Sequence, residues 1–265
     1  MYLTYWKLKE FPFENVPNPR FFFYSSQHEE ALARLLYATQ HQKGAALLTG
    51  EVGSGKTTVG RAFMDQLGQS EYHVVSIINP ALNPTELIGA ILLEMGSEVA
   101  SDSRGVLLRK LYQRLLQNAE QGLKTVLVVD EAQVVESNAT FEQLRMLLNM
   151  QAKNRFLLTL ILMGQPLLKK KLASVRPLDE RISIKYRMEP FTFKDTVRYI
   201  LSRLKKAGAS SPLFTRQSVD LIYDYSHGIP LRINNICDRS LLIGLMKKAK
   251  IIDSKIALDA IEEFQ

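Results

Sequence analysis

Apolar residues along this 265-residue chain recur in two rhythms. Short continuous runs at residues 45–49, 74–78, 125–129 and 156–163 have the length of buried strands. Between them, apolar positions recur at helical spacing. Leu32, Leu35 and Leu36 form one stripe, and Leu107, Leu108, Leu111, Leu115 and Leu116 form another. Residues 56–67 read as a third helix, and Asn83-Pro84-Thr85-Glu86 reads as the start of a fourth, with proline at its first position. Ser26 and Glu29 have capping-box spacing, and Gly44 closes the run that follows. Continuous apolar strands separated by helices predict a parallel sheet covered on both faces, with right-handed crossovers. After Pro190 the strand signal stops. Helical patterns at 194–207, 216–226, 231–248 and 254–264 predict a small all-helical domain. The fold class is therefore α/β with a helical second domain. The boundary is placed at residues 1–189 and 190–265, and the arm before residue 25 is grouped with the first part. That arm carries Phe11-Pro12-Phe13, Pro17, Pro19 and Phe21-Phe22-Phe23. Its prolines argue against a regular helix, and its aromatics need cover from the body.

Composition narrows the classes. Apolar residues are 46% and charged residues 23%, an ordinary globular mix that excludes disordered and collagenous chains. A single cysteine, Cys237, excludes an internal disulfide and a Cys-rich zinc cluster. His28, His41, His73 and His227 have no metal-ligand spacing. The amino terminus has no signal-like apolar run, and the longest apolar stretch is far short of the ~20 residues that span a bilayer. A cytoplasmic location is expected, with peripheral attachment to an inner membrane through a partner as its variant. The net charge of +7 suits solubility and is a weak pointer to nucleic acid or acidic membrane.

The chemistry begins at Gly50-Glu51-Val52-Gly53-Ser54-Gly55-Lys56-Thr57, followed by Thr58. Glycine, four residues, glycine, lysine and threonine match the phosphate-binding loop. Glycines let backbone amides reach phosphate oxygens, and the following helix directs its positive end at the same place. Lys56 is suited to the β- and γ-phosphates of ATP, and the Thr57 hydroxyl to Mg²⁺. An apolar strand before the loop and a helix after it supply the required context. The second signal is Val126-Leu127-Val128-Val129 running into Asp130 and Glu131. It puts two carboxylates at the carboxyl end of a strand, where ligands of open α/β sheets sit. Asp130 then serves the Mg²⁺ shell. Glu131 is placed to activate a water, which favours hydrolysis over transfer to a metabolite.

These motifs together resemble the AAA+ ATPases, and among them the ExeA/GspA-type secretion ATPases. The likeness rests on Phe11-Pro12-Phe13, Pro17-Asn18-Pro19-Arg20-Phe21, residues 25–32, residues 49–58, Asp130-Glu131-Ala132-Gln133, Gly164-Gln165-Pro166 and Gly228-Ile229-Pro230-Leu231-Arg232-Ile233-Asn234 with Cys237-Asp238-Arg239. The resemblance implies a P-loop sheet domain with a helical lid, and a γ-phosphate sensor at Gln165. It implies an arginine acting on a neighbouring subunit's nucleotide at Arg181, with Arg176 as the rival. It implies a lid arginine at Arg232, although relatives often carry arginine one position earlier, where this chain has Leu231. It also implies that the segment 17–19 lies near adenine. Longer members of the family continue into a membrane segment and a wall-binding region that this chain lacks; an ATPase-only member or a truncated chain is expected.

The function so implied is an oligomeric, Mg²⁺-dependent ATPase, ring or filament, that drives assembly of a secretion, pilus or export machine and meets a protein partner there. The alternative is a DNA-binding transposition regulator resembling the TnsC-like ATPases. Its basic candidates are Lys169-Lys170-Lys171 with Arg176, Arg203 with Lys205 and Lys206, and Lys247-Lys248 with Lys250. A nucleotide-gated scaffold that barely hydrolyses is a third reading, opposed by Glu131.

Overall fold

The computed structural model describes residues 2–16, 18–99, 101, 103–152 and 155–264. Pro17, which belongs to the segment expected near adenine, lies outside them. The helices are α1 (Tyr2–Trp6), α2 (Ser26–Gln40), α3 (Lys56–Gln66), α4 (Pro84–Glu94), α5 (Arg104–Glu120), α6 (Asn138–Leu147), α7 (Leu167–Ala173), α8 (Arg176–Asp179), α9 (Phe193–Lys206), α10 (Arg216–Ser226), α11 (Pro230–Met246) and α12 (Ser254–Glu262). The strands are β1 (Ala45–Gly50), β2 (Tyr72–Ile77), β3 (Lys124–Val129), β4 (Gln151–Ala152), β5 (Arg155–Phe156), β6 (Leu158–Gly164) and β7 (Ile182–Met188). The chain forms two compact units. One comprises Glu29–Gly50 and Val59–Met188; the other comprises Met1–His28, Glu51–Thr58 and Glu189–Gln265.

The first unit holds a parallel sheet in the order β2-β3-β6-β1-β7. β1 and β6 are buried along their whole length, as strands covered on both faces must be. This bears out the parallel α/β reading. β7 was not anticipated: Ile182, Ile184, Tyr186 and Met188 alternate with Ser183, Lys185 and Arg187, the pattern of an edge strand with one wet face. The apolar run at 156–163 divides, with Phe156 in the short β4–β5 pair and the buried strand starting at Leu158. The start of α4 is as read. Asn83 Oδ1 accepts from the Thr85 and Glu86 amides at 2.9 and 3.0 Å, and Glu86 returns a carboxylate to the Asn83 amide at 2.9 Å.

In the second unit, α9 to α12 pack around Ile200, Ile233, Ile236, Cys237, Leu241 and Ala257. The amino-terminal aromatics that were grouped with the sheet join this core, among them Trp6, Phe13 and Phe21. Trp6 Nε1 donates to the Leu241 carbonyl at 2.9 Å. The buried Arg203 binds the arm: its guanidinium donates to the Pro12 carbonyl, to the Glu14 carbonyl at 3.0 Å and to Tyr199 Oη at 2.6 Å, and it lies 5.0 Å from the Phe21 ring centroid. A short helix, α1, forms after all, because the first proline comes only at residue 12. The α2 start also differs from the reading. Ser25, just outside the helix, accepts from the His28 amide at 3.3 Å, so the cap falls one serine earlier than Ser26.

Candidate functional site

The phosphate-binding loop belongs to the helical unit. Gly53 and Gly55 sit at φ 78° and 95°, the left-handed region that glycine occupies without strain. Space excludes side chains there as well. A Cβ on Gly53 would lie 2.4 Å from Leu231 Cβ, and one on Gly55 would lie 2.7 Å from His28 Nε2. The loop therefore rests on the first turn of α11, where the Leu231 amide donates to the Gly53 carbonyl at 3.3 Å, and on the buried ring of His28. Lys56 is buried, and its Nζ donates to the Glu51 carbonyl at 2.9 Å. Thr57 and Thr58 occupy the first turn of α3. Ser54 Oγ is buried and has no hydrogen-bond partner among the described residues, so the loop holds an unspent polar atom.

His28, which has no metal-ligand spacing in the sequence, is buried. Its Nδ1 lies 2.6 Å from Ser25 Oγ, and its ring packs on Phe22 and Phe191. Burial holds its pKa down to about 4, against the partial opposition of Asp195. The folded chain thus keeps His28 neutral where an unfolded one would take up a proton, between its ordinary value of 6.5 and about 4. Stability conferred by the neutral ring is complete above pH 6.5 and is lost as pH falls through that window, by about 3 kcal/mol in all. Urea melts at pH 7 and pH 4.5 should show this loss, and His28→Leu should flatten the dependence. An equal slope in the variant would contradict it.

The carboxyl edge of the sheet lies in the other unit. Gly50 ends β1, Asp130 follows β3, and Gly164 ends β6 and leads into Gln165. Register puts them level, with Thr49 beside Gly164 and Val129 beside Leu162. Asp130 is buried, and its Oδ1 accepts from the Glu131 amide at 2.8 Å. Glu131 is half-buried at φ 49°, ψ 33°, a left-handed conformation that costs a non-glycine residue ~1–2 kcal/mol. Lys7, Gln42, His227 and Lys248 share this positive φ; what sets Glu131 apart is its place at the carboxyl end of a central strand, next to the buried Asp130. Gln133 is buried next to it. Its Nε2 donates to Glu131 Oε2, and its Oε1 accepts from the Gln165 amide at 2.9 Å. In the sequence Gln133 is marked only by its fourth place in Asp-Glu-Ala-Gln, which by itself assigns no role.

Each unit offers oxygen donors of the kind a hard cation takes: the Thr57 hydroxyl in one and the Asp130 carboxylate in the other, each considered by itself, and no group of three or more His, Cys, Asp or Glu that could hold a metal occurs among the described residues. Magnesium is commonly bound in this way, by one or two protein oxygens together with substrate phosphates.

Arg181 separates from this edge. Arg181 precedes β7 at the start of the sheet, where Ile182 pairs with Ala45, so it sits at the edge opposite Gly50 and Asp130. The acids beside it are otherwise engaged: Asp179 pairs with Lys185 at 2.7 Å and Glu180 with Arg176 at 3.1 Å. Arg181 is half-buried and has no ion pair among the described residues. Arg232 is exposed on the first turn of α11, and Leu231 takes the position against Gly53. The one-residue offset noted in the sequence thus has a steric counterpart.

Solved structures share the fold. The Aeropyrum pernix ORC2 protein in its ADP form superposes with a TM-score of 0.72 at 12% identity, covering 97% of this chain and 73% of that one. The Thermotoga maritima RuvB Holliday junction branch migration motor gives 0.60 at 23% identity, covering 91% and 70%. At the level of sequence, the general secretion pathway protein A of Aeromonas hydrophila is 39% identical over 99% of this chain. The chain spans about half the length of that curated relative, 48%. No helix among the described residues is long and apolar enough to cross a membrane. The family model of the AAA domain matches residues 39–172, just over half of the chain, a span that takes in the phosphate loop, the acidic pair and Gln165. With a parallel sheet and a family model that matches over half of its length, the chain belongs to the AAA domain family.

Proposed function

We propose that this protein binds Mg²⁺-ATP, hydrolyses it, and works as an oligomer in assembling a secretion, pilus or export machine. Residues 50–58 would hold the phosphates, with Lys56 on the β- and γ-oxygens. Thr57 and Asp130 would hold Mg²⁺, which when bound neutralises the phosphate charge. Glu131 would take the proton of the attacking water, and Gln165 would orient that water against the γ-phosphate. Arg181 would stabilise charge on a neighbouring subunit's nucleotide, and Arg232 would reach a phosphate only by turning from its exposed place. The observation that carries the hydrolytic reading is the strained Glu131 beside the buried Asp130 at the ligand edge of the sheet. The export role is supported by the likeness to general secretion pathway protein A.

The DNA-regulator reading has less support. In each basic cluster a cation is already engaged. Lys171 Nζ donates to the Gln133 and Val135 carbonyls at 2.6 and 2.8 Å, Arg203 is buried on the arm, Lys206 donates to the Phe22 carbonyl at 2.8 Å, and Lys247 pairs with Asp259. The two readings separate in one experiment, the ATPase rate against protein concentration, with and without duplex DNA, at two salt concentrations. We expect a rate per subunit that rises with concentration and is unmoved by DNA. A rate independent of concentration and stimulated by DNA, with the stimulation lost at higher salt, would favour the regulator.

A further inference from the structure

The turn after the acidic pair carries more hydrogen bonding than a sheet-edge turn needs. Glu131 opens a 3-10 turn, Ala132–Val134, and Gln133 projects its amide inward from the middle of it. That amide spends both ends. Nε2 donates to Glu131 Oε2, and Oε1 accepts from the Gln165 amide at 2.9 Å. The side chain has one workable polarity. Turning the amide over would set its oxygen against a carboxylate and its N–H₂ against a backbone N–H. The turn is also held from behind, because the Gln133 carbonyl accepts from Lys171 Nζ on α7, the helix that follows Gln165. The fit is close: a Cβ on Gly164 would lie 2.5 Å from Gln133 Oε1, so glycine at 164 lets the amide seat.

Resting on the hydrolytic reading above, we propose that Gln133 is a positioning residue that couples the Gln165 segment to the Glu131 carboxylate, so that any shift of the strand end carrying Gln165 re-aims the base. Burial requires both ends of the amide to be bonded; here the partners that satisfy it are the Glu131 carboxylate and the backbone of Gln165, so the same bonds tie those two groups together. Glu131, already held in a left-handed backbone conformation, has its carboxylate bonded by this side chain. The proposal therefore places base and sensor in a single hydrogen-bonded unit.

The test is a double-mutant cycle on the full chain with Glu131→Gln, Gln133→Met and the double variant. Single-turnover ATP hydrolysis, KM and ATP affinity are measured for each. Methionine keeps the volume and removes both hydrogen bonds. Gln133→Met should lower kcat by about 10- to 100-fold, the cost of a misaimed group, with KM and affinity within about 2-fold. In the Glu131→Gln background the same change should cost no more than about 2-fold, because the two act as a unit. Gln133→Asn keeps a polar amide but is one methylene short of the bridge. It should reproduce the fall in kcat, and it stands in if the methionine variant melts early. Effects that multiply, or a Gln133 variant as fast as the parent while Glu131→Gln is slow, would overturn the coupling alone. A Glu131→Gln protein as fast as the parent would overturn the hydrolytic reading itself.

Discussion

The Glu131→Gln protein should bind ATP as the parent does and hydrolyse it about 10²- to 10⁴-fold more slowly, the range a positioned general base supplies. The amide is isosteric and can present its oxygen to Gln133 Nε2, so the turn and the neighbouring hydrogen bonds should survive. What disappears is the group that removes a proton from water. Asp130 cannot replace it, since its Oδ1 is committed to the Glu131 amide at 2.8 Å and the carboxylate is buried. Rapid-quench measurement of ATP cleavage, together with nucleotide affinity, checks both halves. Hydrolysis at the parent's rate would remove Glu131 from the mechanism. Loss of affinity together with rate would mean that the residue holds the fold or the nucleotide instead.

Arg181→Ala should lower the ATPase rate about 10³-fold or more when subunits are associated, the scale on which an arginine supplied in trans acts. The expectation follows from position. The residue stands at the amino edge of the sheet, away from Gly50 and Asp130, and no neighbouring acid neutralises it among the described residues. Under the proposal above, an arginine so placed would serve a second copy of the chain. Mixing supplies the decisive control. Arg181→Ala subunits keep a working base, and Glu131→Gln subunits keep a working arginine, so a mixture of the two slow proteins should recover activity neither has alone. Arg176 is the comparison, since it is held by Glu180 at 3.1 Å and is exposed, and its alanine variant should lose little. A mixture no faster than its components, or an equal loss at Arg176, would reassign the role.

Much of this could be read from the residues because local chemistry and tertiary demand coincide there. The phosphate loop needs glycine for reasons visible in the sequence, and the structure adds further ones in Leu231 and His28, which occupy the space a Cβ would take. The buried strands announced themselves as unbroken apolar runs. The edge strand β7 did not, because an alternating, charged segment near a proline looks like a loop until its partner strand is known. The aromatic arm was seen to need cover, but which core provides it depends on Arg203 and Leu241, some two hundred residues away in the chain. Gln133 was hidden for a related reason: a glutamine's role lies in the two groups it bridges, and Gln165 is distant in sequence.

Isothermal titration of the folded chain with ATP in the presence of Mg²⁺, beside the Lys56→Ala variant, tests the central claim most directly. The account predicts saturable, one-per-chain binding by the parent, weakened when magnesium is chelated and largely abolished in the variant, with both proteins melting alike. A folded parent that takes up no ATP, or a Lys56→Ala protein that binds it equally well, would contradict the account.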